Sequence, residues 1–130
     1  MKKILIVDDD IDLIMQYTPV LQQAGYQVTA AYNGQEGFEK FQAEKPDAMI
    51  VDLAMEHFDS GFRLCRQVKK TAEGQKIPVI IMTSAAHETG IALSVGTEEE
   101  KQWIAADDYL EKPVSAKDLV LYLKEKVFKE

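Results

Sequence analysis

Five short apolar runs alternate with stretches of helical periodicity, and that alternation constrains the fold more than any other feature of the chain. Residues 4–7, Ile4-Leu5-Ile6-Val7, are uninterrupted apolar positions, as expected of a strand covered on both faces. Residues 11–24 put Ile14, Tyr17 and Leu21 on one helical face. Pro19 falls inside that helix and is expected to kink or disturb it, and Gly25 is expected to end it. Residues 26–31 read as a second strand. Asn33 can cap the next helix with Glu36 three residues on, and Phe38 and Phe41 supply its apolar face. Asn33-Gly34 could instead turn a hairpin, but the helical pattern after it argues otherwise. A third strand is expected at 48–51, a third helix at 61–70 and a fourth strand at 78–82. The fifth strand, around 108–110, is weaker. Residues 115–128 should form a closing helix, with Ser115 and Asp118 at capping-box spacing and Leu119, Leu123 and Val127 as a core stripe. Strand–helix alternation predicts a parallel sheet with helices on both faces. Ligands in such folds bind beyond the carboxyl ends of the strands.

Composition narrows the function classes. At 130 residues the chain fits one domain, and 46% hydrophobic residues exclude a disordered chain. A formal net charge of −7 leaves no basic footprint for direct nucleic-acid binding. The single cysteine, Cys65, cannot form an internal disulfide and suits a reducing compartment. The apolar run at the start is too short for a signal peptide, and no stretch is long enough to cross a membrane. The expectation is a cytoplasmic protein with no membrane partner.

The strand exits carry the chemistry. Asp8, Asp9 and Asp10 follow the first strand, Asp52 ends the third, Thr83 and Ser84 follow the fourth, and Lys112-Pro113 lies past the fifth. Crowded carboxylates are costly to keep ionised unless a cation joins them. Oxygen-only ligands suit Mg²⁺, which keeps several waters and favours phosphate chemistry. A hydroxyl and an ammonium beside it suit phosphate oxygens. An aspartate between a hard cation and a lysine can act as nucleophile toward a phosphoryl donor.

Taken singly, each fragment has a plainer reading. Asp8 to Asp10 could cap and charge a helix, Asp52 could be a loop acid, Thr83-Ser84 a turn pair, Lys112 a solvated loop residue and Tyr109 a core aromatic. Together and in order, the runs Ile4-Leu5-Ile6-Val7-Asp8-Asp9, Met49-Ile50-Val51-Asp52-Leu53, Val79-Ile80-Ile81-Met82-Thr83-Ser84 and Asp107-Asp108-Tyr109-Leu110-Glu111-Lys112-Pro113 resemble bacterial response-regulator receivers over essentially the whole chain. The resemblance implies one receiver domain over residues 1–130 with a flavodoxin-like α/β fold, a five-stranded parallel sheet in the order 2-1-3-4-5. It implies that Asp52 is the phosphoacceptor and that Mg²⁺ is held by Asp9, Asp52 and the backbone carbonyl of Ala54, with Asp8 acting through water. It further implies that Thr83, Ser84 and Lys112 bind phosphate, and that Thr83 and Tyr109 form the switch. The implied partners are a sensor histidine kinase or phosphotransfer protein, an unnamed output partner and, on phosphorylation, a second copy in a homodimer.

Two regions depart from the family pattern. After Asp52, Glu56 stands where a proline is usual and Asp59-Ser60-Gly61 comes late, which reads as a one-residue insertion that could bring Glu56 or His57 to the site. Between Thr83 and Lys112 the chain is longer than usual by about two helical turns, with a helix expected over 98–106 that carries Trp103. Two other functions compete: a pseudo-receiver that acts only as an interaction module, and a haloacid-dehalogenase-type phosphohydrolase using Asp8 and Asp10. The second places its lysine before the late acids, whereas Lys112 follows Asp107-Asp108.

Overall fold

The computed structural model describes residues 1–53, 55, 60–83 and 106–129. The chain runs β1 (Lys3–Val7), α1 (Ile11–Gln23), β2 (Gln27–Ala31), α2 (Gly34–Glu44), β3 (Ala48–Asp52), α3 (Ser60–Lys69), α4 (Ala72–Lys76), β4 (Val79–Thr83), β5 (Asp108–Glu111) and α5 (Ala116–Tyr122), with a π-helical turn over Leu123–Val127. The strands form one parallel sheet in the order β2-β1-β3-β4-β5, as expected. Every residue of β3 and β4 is buried, and so are the last four of β1.

Alternate residues of these strands feed two separate cores. Leu5, Val7, Met49, Val51 and Ile81 pack with Phe41 of α2 and with Leu64, Cys65 and Val68 of α3. Ile4, Ile6, Ile50, Ile80 and Met82 pack with Ile14, Tyr17 and Leu21 of α1 and Leu119 of α5. Covering both faces explains why the strands lack polar alternation.

Local signals act largely as their chemistry requires. The Asn33 side chain accepts from Glu36 N–H at 2.8 Å, while Glu36 accepts from Tyr32 N–H at 3.2 Å. Gly25 takes φ of 98° just past α1, where a side chain would be strained. Pro19 does not break α1, which continues to Gln23 with Pro19 on its exposed side.

Two elements depart from the sequence reading. The closing helix widens at its end, where Phe128 N–H reaches back five residues to Leu123 O at 2.8 Å. The short α4 was not expected. Thr71 caps it, accepting from Gly74 N–H at 2.9 Å and donating to Val68 O at 2.7 Å. Glu56 and His57, and residues 98–105 of the helix expected over 98–106 with Trp103, lie outside the described residues, and Ala106 is not helical.

Candidate functional site

The carboxyl edge of the sheet gathers five of the expected site residues, Asp8, Asp9, Asp52, Thr83 and Lys112. Asp8 follows β1 and donates its N–H to Ala31 O at 3.0 Å, which extends the β1–β2 pairing by one step. Its Oδ1 accepts from Asp10 N–H at 2.9 Å. Asp10 itself accepts from Leu13 N–H at 3.1 Å and caps α1. The triple acid therefore divides: Asp10 serves the helix, and Asp8 and Asp9 serve the sheet edge. Asp52 ends β3, the strand beside β1. The carboxylates of Asp8, Asp9 and Asp52 each offer an oxygen within 4.8 Å of the others.

Lys112 closes the cluster from β5. Its N–H donates to Thr83 O at 2.9 Å, continuing the β4–β5 ladder past Glu111. Its Nζ stands 3.0 Å from Asp8 Oδ2 and 3.1 Å from Asp52 Oδ1. Asp8 and Asp52 are 3% and 8% exposed, whereas Asp9 is open to solvent.

Three carboxylates share one ammonium, and the electrostatics follow from that imbalance. Burial pushes the Asp52 carboxyl up to about 6, with the charge of Asp8 adding to the rise and Lys112 opposing it. Asp9, though exposed, is also raised, by the partial desolvation of its side toward the cluster and by the charge of Asp8. Burial alone would lower the Lys112 pKa, but Asp52 and Asp8 outweigh it and hold the ammonium above its ordinary value.

A divalent cation fits this donor set. The oxygens are hard, close together and carry excess negative charge, and an exposed Asp9 leaves room for water in the remaining coordination positions.

Thr83 ends β4, 3% exposed, one residue beyond Met82, the register partner of Asp52. Tyr109 lies in β5, packed against the core on the α3 side. Its hydroxyl is buried with no hydrogen-bond partner among the described residues, and burial beside Cys65 and Asp108 raises its pKa. Ala54 and Ser84 lie outside the described residues.

Sequence reasoning missed several supporting contacts. The Tyr17 hydroxyl, read only as core, donates to Val114 O just beyond the cis Lys112–Pro113 peptide. Its i, i+3, i+4 spacing signals burial and says nothing of where the hydroxyl points. At the opposite edge of the sheet Asp47 also escaped notice, and Asp107 was singled out only as part of the family run and as a late acid, not for the strand start it completes. Asp47 accepts from Lys3 N–H at 2.7 Å, and Asp107 accepts from Val79 N–H at 2.7 Å while pairing with Lys69 at 2.7 Å.

Comparison with known proteins decides the family. The family profile described as "Response regulator receiver domain" matches residues 4–124. The chain belongs to the response regulator receiver family. Protein PilH of Pseudomonas aeruginosa is 38% identical to this receiver over 123 residues, covering 92% of this chain and 93% of PilH. The alkaline phosphatase synthesis transcriptional regulatory protein PhoP of Bacillus subtilis is 32% identical over 120 residues, 91% of this chain but 45% of PhoP. The receiver thus spans nearly all of one curated relative and about half the length of others. Among solved structures, chemotaxis response regulator CheY4 of Vibrio cholerae superposes with a TM-score of 0.80 at 28% identity, covering 96% of this chain and 98% of CheY4. TrrA of Thermotoga maritima, solved in complex with Mg²⁺–BeF, gives 0.74 at 28% identity over 96% of this chain and 98% of TrrA. The fold and family leave the haloacid-dehalogenase reading without support.

Proposed function

We propose that this receiver accepts a phosphoryl group on Asp52 in a Mg²⁺-dependent step and uses the modification to change partner binding. The observation that carries the reading is the buried Asp52 carboxylate, 3.1 Å from Lys112 Nζ and within 4.8 Å of carboxylate oxygens of Asp8 and Asp9. An Asp52 oxygen attacks phosphorus, forming an acyl phosphate. The bond from phosphorus to the donor's leaving atom breaks, and that atom keeps the electron pair and takes a proton. Lys112 stays charged beside the attacking carboxylate and is positioned to pair with a phosphoryl oxygen. Asp9, Asp52 and the Ala54 carbonyl would hold Mg²⁺, with Asp8 acting through water, and the ion would supply positive charge that offsets the approach of two anions. The complex of TrrA with Mg²⁺–BeF supports carrying the same ion to this chain.

Thr83, and Ser84 beside it, complete the phosphate-binding set. A Thr83 hydroxyl drawn toward the phosphoryl group frees space for the Tyr109 ring, which biases an equilibrium between conformers. The donor is a phosphohistidine on a sensor histidine kinase or phosphotransfer protein, in the cytoplasm. Turnover is confined to slow self-phosphorylation and self-dephosphorylation. The acidic balance of these residues disfavours direct nucleic-acid binding by the receiver itself, so any contact with DNA would fall to a partner or to a segment beyond residues 1–130.

Intact-mass measurement after incubation with Mg²⁺ and a small phosphodonor tests the reading. Wild type should gain one phosphoryl group and Asp52→Asn none. An equal adduct on both proteins removes Asp52 from the role, and no adduct on either favours the phosphorylation-independent interaction module.

A further inference from the structure

The first turn of α3 sits directly on the backbone of Asp52. Gly61 N–H donates to Leu53 O at 2.7 Å. A Cβ built on Gly61 would lie 2.4 Å from Asp52 O, 2.7 Å from Leu53 Cα and 3.0 Å from Asp52 C. All three are backbone atoms of the strand end, so no side chain can swing aside to make room. Ordinary contact begins at 3.4 Å, so any side chain here must part α3 from β3 by about 1 Å. Gly61 has no positive φ to explain it. Close approach, and not a turn, is what requires glycine at this position.

We infer that Gly61 is a positioning residue for the phosphoryl-transfer site: its missing side chain lets α3 lock the Asp52–Leu53 peptide in place, and so fixes the Asp52 carboxylate against Asp8, Asp9 and Lys112. The inference rests on the function proposed above. The one-residue insertion expected after Asp52 leaves this contact intact, because α3 begins at Ser60 and its second residue still reaches Leu53. Length added between Leu53 and Ser60 does not loosen the strand end, because the grip is applied from beyond it. Geometry of this kind has large leverage, since a 1 Å misplacement of a reacting group can cost about 100-fold in rate.

Gly74 provides a control elsewhere that is tighter still. A Cβ there would stand 1.8 Å from Val68 O, in the α3–α4 corner. Wild type, Gly61→Ala and Gly74→Ala are compared at low temperature, with folding checked by circular dichroism. Mg²⁺ affinity is read by calorimetry and phosphoryl uptake by mass after mixing with a small phosphodonor. Gly61→Ala should bind Mg²⁺ about 10-fold more weakly, as when a group orienting a metal ligand is lost, and take up phosphoryl roughly 10- to 100-fold more slowly. Gly74→Ala should melt lower with both values unchanged in its folded form. Should Gly61→Ala fail to fold, the wild-type amide spectrum gives the answer: the Gly61 amide should shift as Mg²⁺ is added and the Gly74 amide should not. A folded Gly61→Ala with wild-type affinity and rate overturns the inference, as does an equal loss in Gly74→Ala or a Gly61 amide silent to Mg²⁺. A wild type that binds Mg²⁺ but takes up no phosphoryl group overturns the receiver reading instead, and Gly61 is then judged on Mg²⁺ affinity alone.

Discussion

Aspartates stand at both edges of this sheet, and the two edges treat them differently. At the amino edge, Asp47 takes the N–H of Lys3 and Asp107 takes the N–H of Val79, so each carboxylate completes the ladder of a neighbouring strand. Asp107 gains Lys69 as well, whose Nζ also donates to Ile77 O at 2.6 Å. At the carboxyl edge, Asp8, Asp9 and Asp52 share Lys112, and Asp52 is left with its carboxyl pushed up to about 6. The polarity of a parallel sheet supplies the reason. Strand starts present unpaired N–H groups, which carboxylates satisfy. Strand ends present carbonyls, which they cannot. An acid at the amino edge is therefore structural by default. Acids at the carboxyl edge need a cation, and that need suits them to Mg²⁺ and phosphoryl chemistry.

The largest break in this contrast is expected from Lys112→Ala. It leaves Asp8 and Asp52 buried together without the ammonium they share. Phosphoryl uptake should fall by at least about 100-fold, the scale for losing a charged group that stabilises a transition state. A phosphorylation time course checks this, and a fall below 10-fold would remove Lys112 from the reacting set.

The pH dependence of stability comes next. The Asp52 carboxyl lies at about 6 in the folded chain against 3.8 ordinarily. The folded state therefore binds the proton more tightly, and stability falls as pH rises from about 4 through 6. The full cost, on the order of 2–3 kcal/mol, applies above pH 6. Without Mg²⁺, Asp52→Asn should melt above wild type at pH 7.5, with the gap closing toward pH 4. Mg²⁺ should raise the wild-type melting temperature and narrow the same gap. Thermal unfolding across that range, with and without Mg²⁺, measures both effects, and a pH-independent gap would contradict the shift.

At the amino edge the effects are smaller and of another kind. Asp107→Ala should cost about 1–2 kcal/mol, because Val79 N–H loses its acceptor and Lys69 one of its partners. Asp47→Ala should cost about 1 kcal/mol through Lys3 N–H. Denaturant titration gives these values, and Mg²⁺ affinity should not change in either variant. A change in affinity would show that the two edges are coupled.

How much was legible in the sequence follows from the same physics. β1, β3 and β4 are unbroken apolar runs because both faces are covered, and the residue after each run is fixed once the run is found. Asp8, Asp9, Asp52, Thr83 and Lys112 were visible as strand-exit positions for that reason. β5 was faint because it is an edge strand with only Tyr109 and Leu110 apolar. Helix α4 carries no apolar stripe and is held by the Thr71 cap and the fit of Gly74 against Val68. Asp47 and Asp107 bond to strand starts 44 and 28 residues away, a pairing no local pattern encodes. The grip of Gly61 on Asp52 needed coordinates, since a glycine at the start of a helix does not say which backbone it packs against.

The contrast between the edges is tested most directly by locating the acyl phosphate. Wild type is incubated with a small phosphodonor, with Mg²⁺ or with a chelator, then reduced with borohydride so that the modified aspartate becomes homoserine, and mapped by tandem mass spectrometry. Homoserine should appear at Asp52 alone, and only with Mg²⁺. Label at Asp8, Asp9, Asp47 or Asp107, or label at Asp52 that survives the chelator unchanged, would contradict the account.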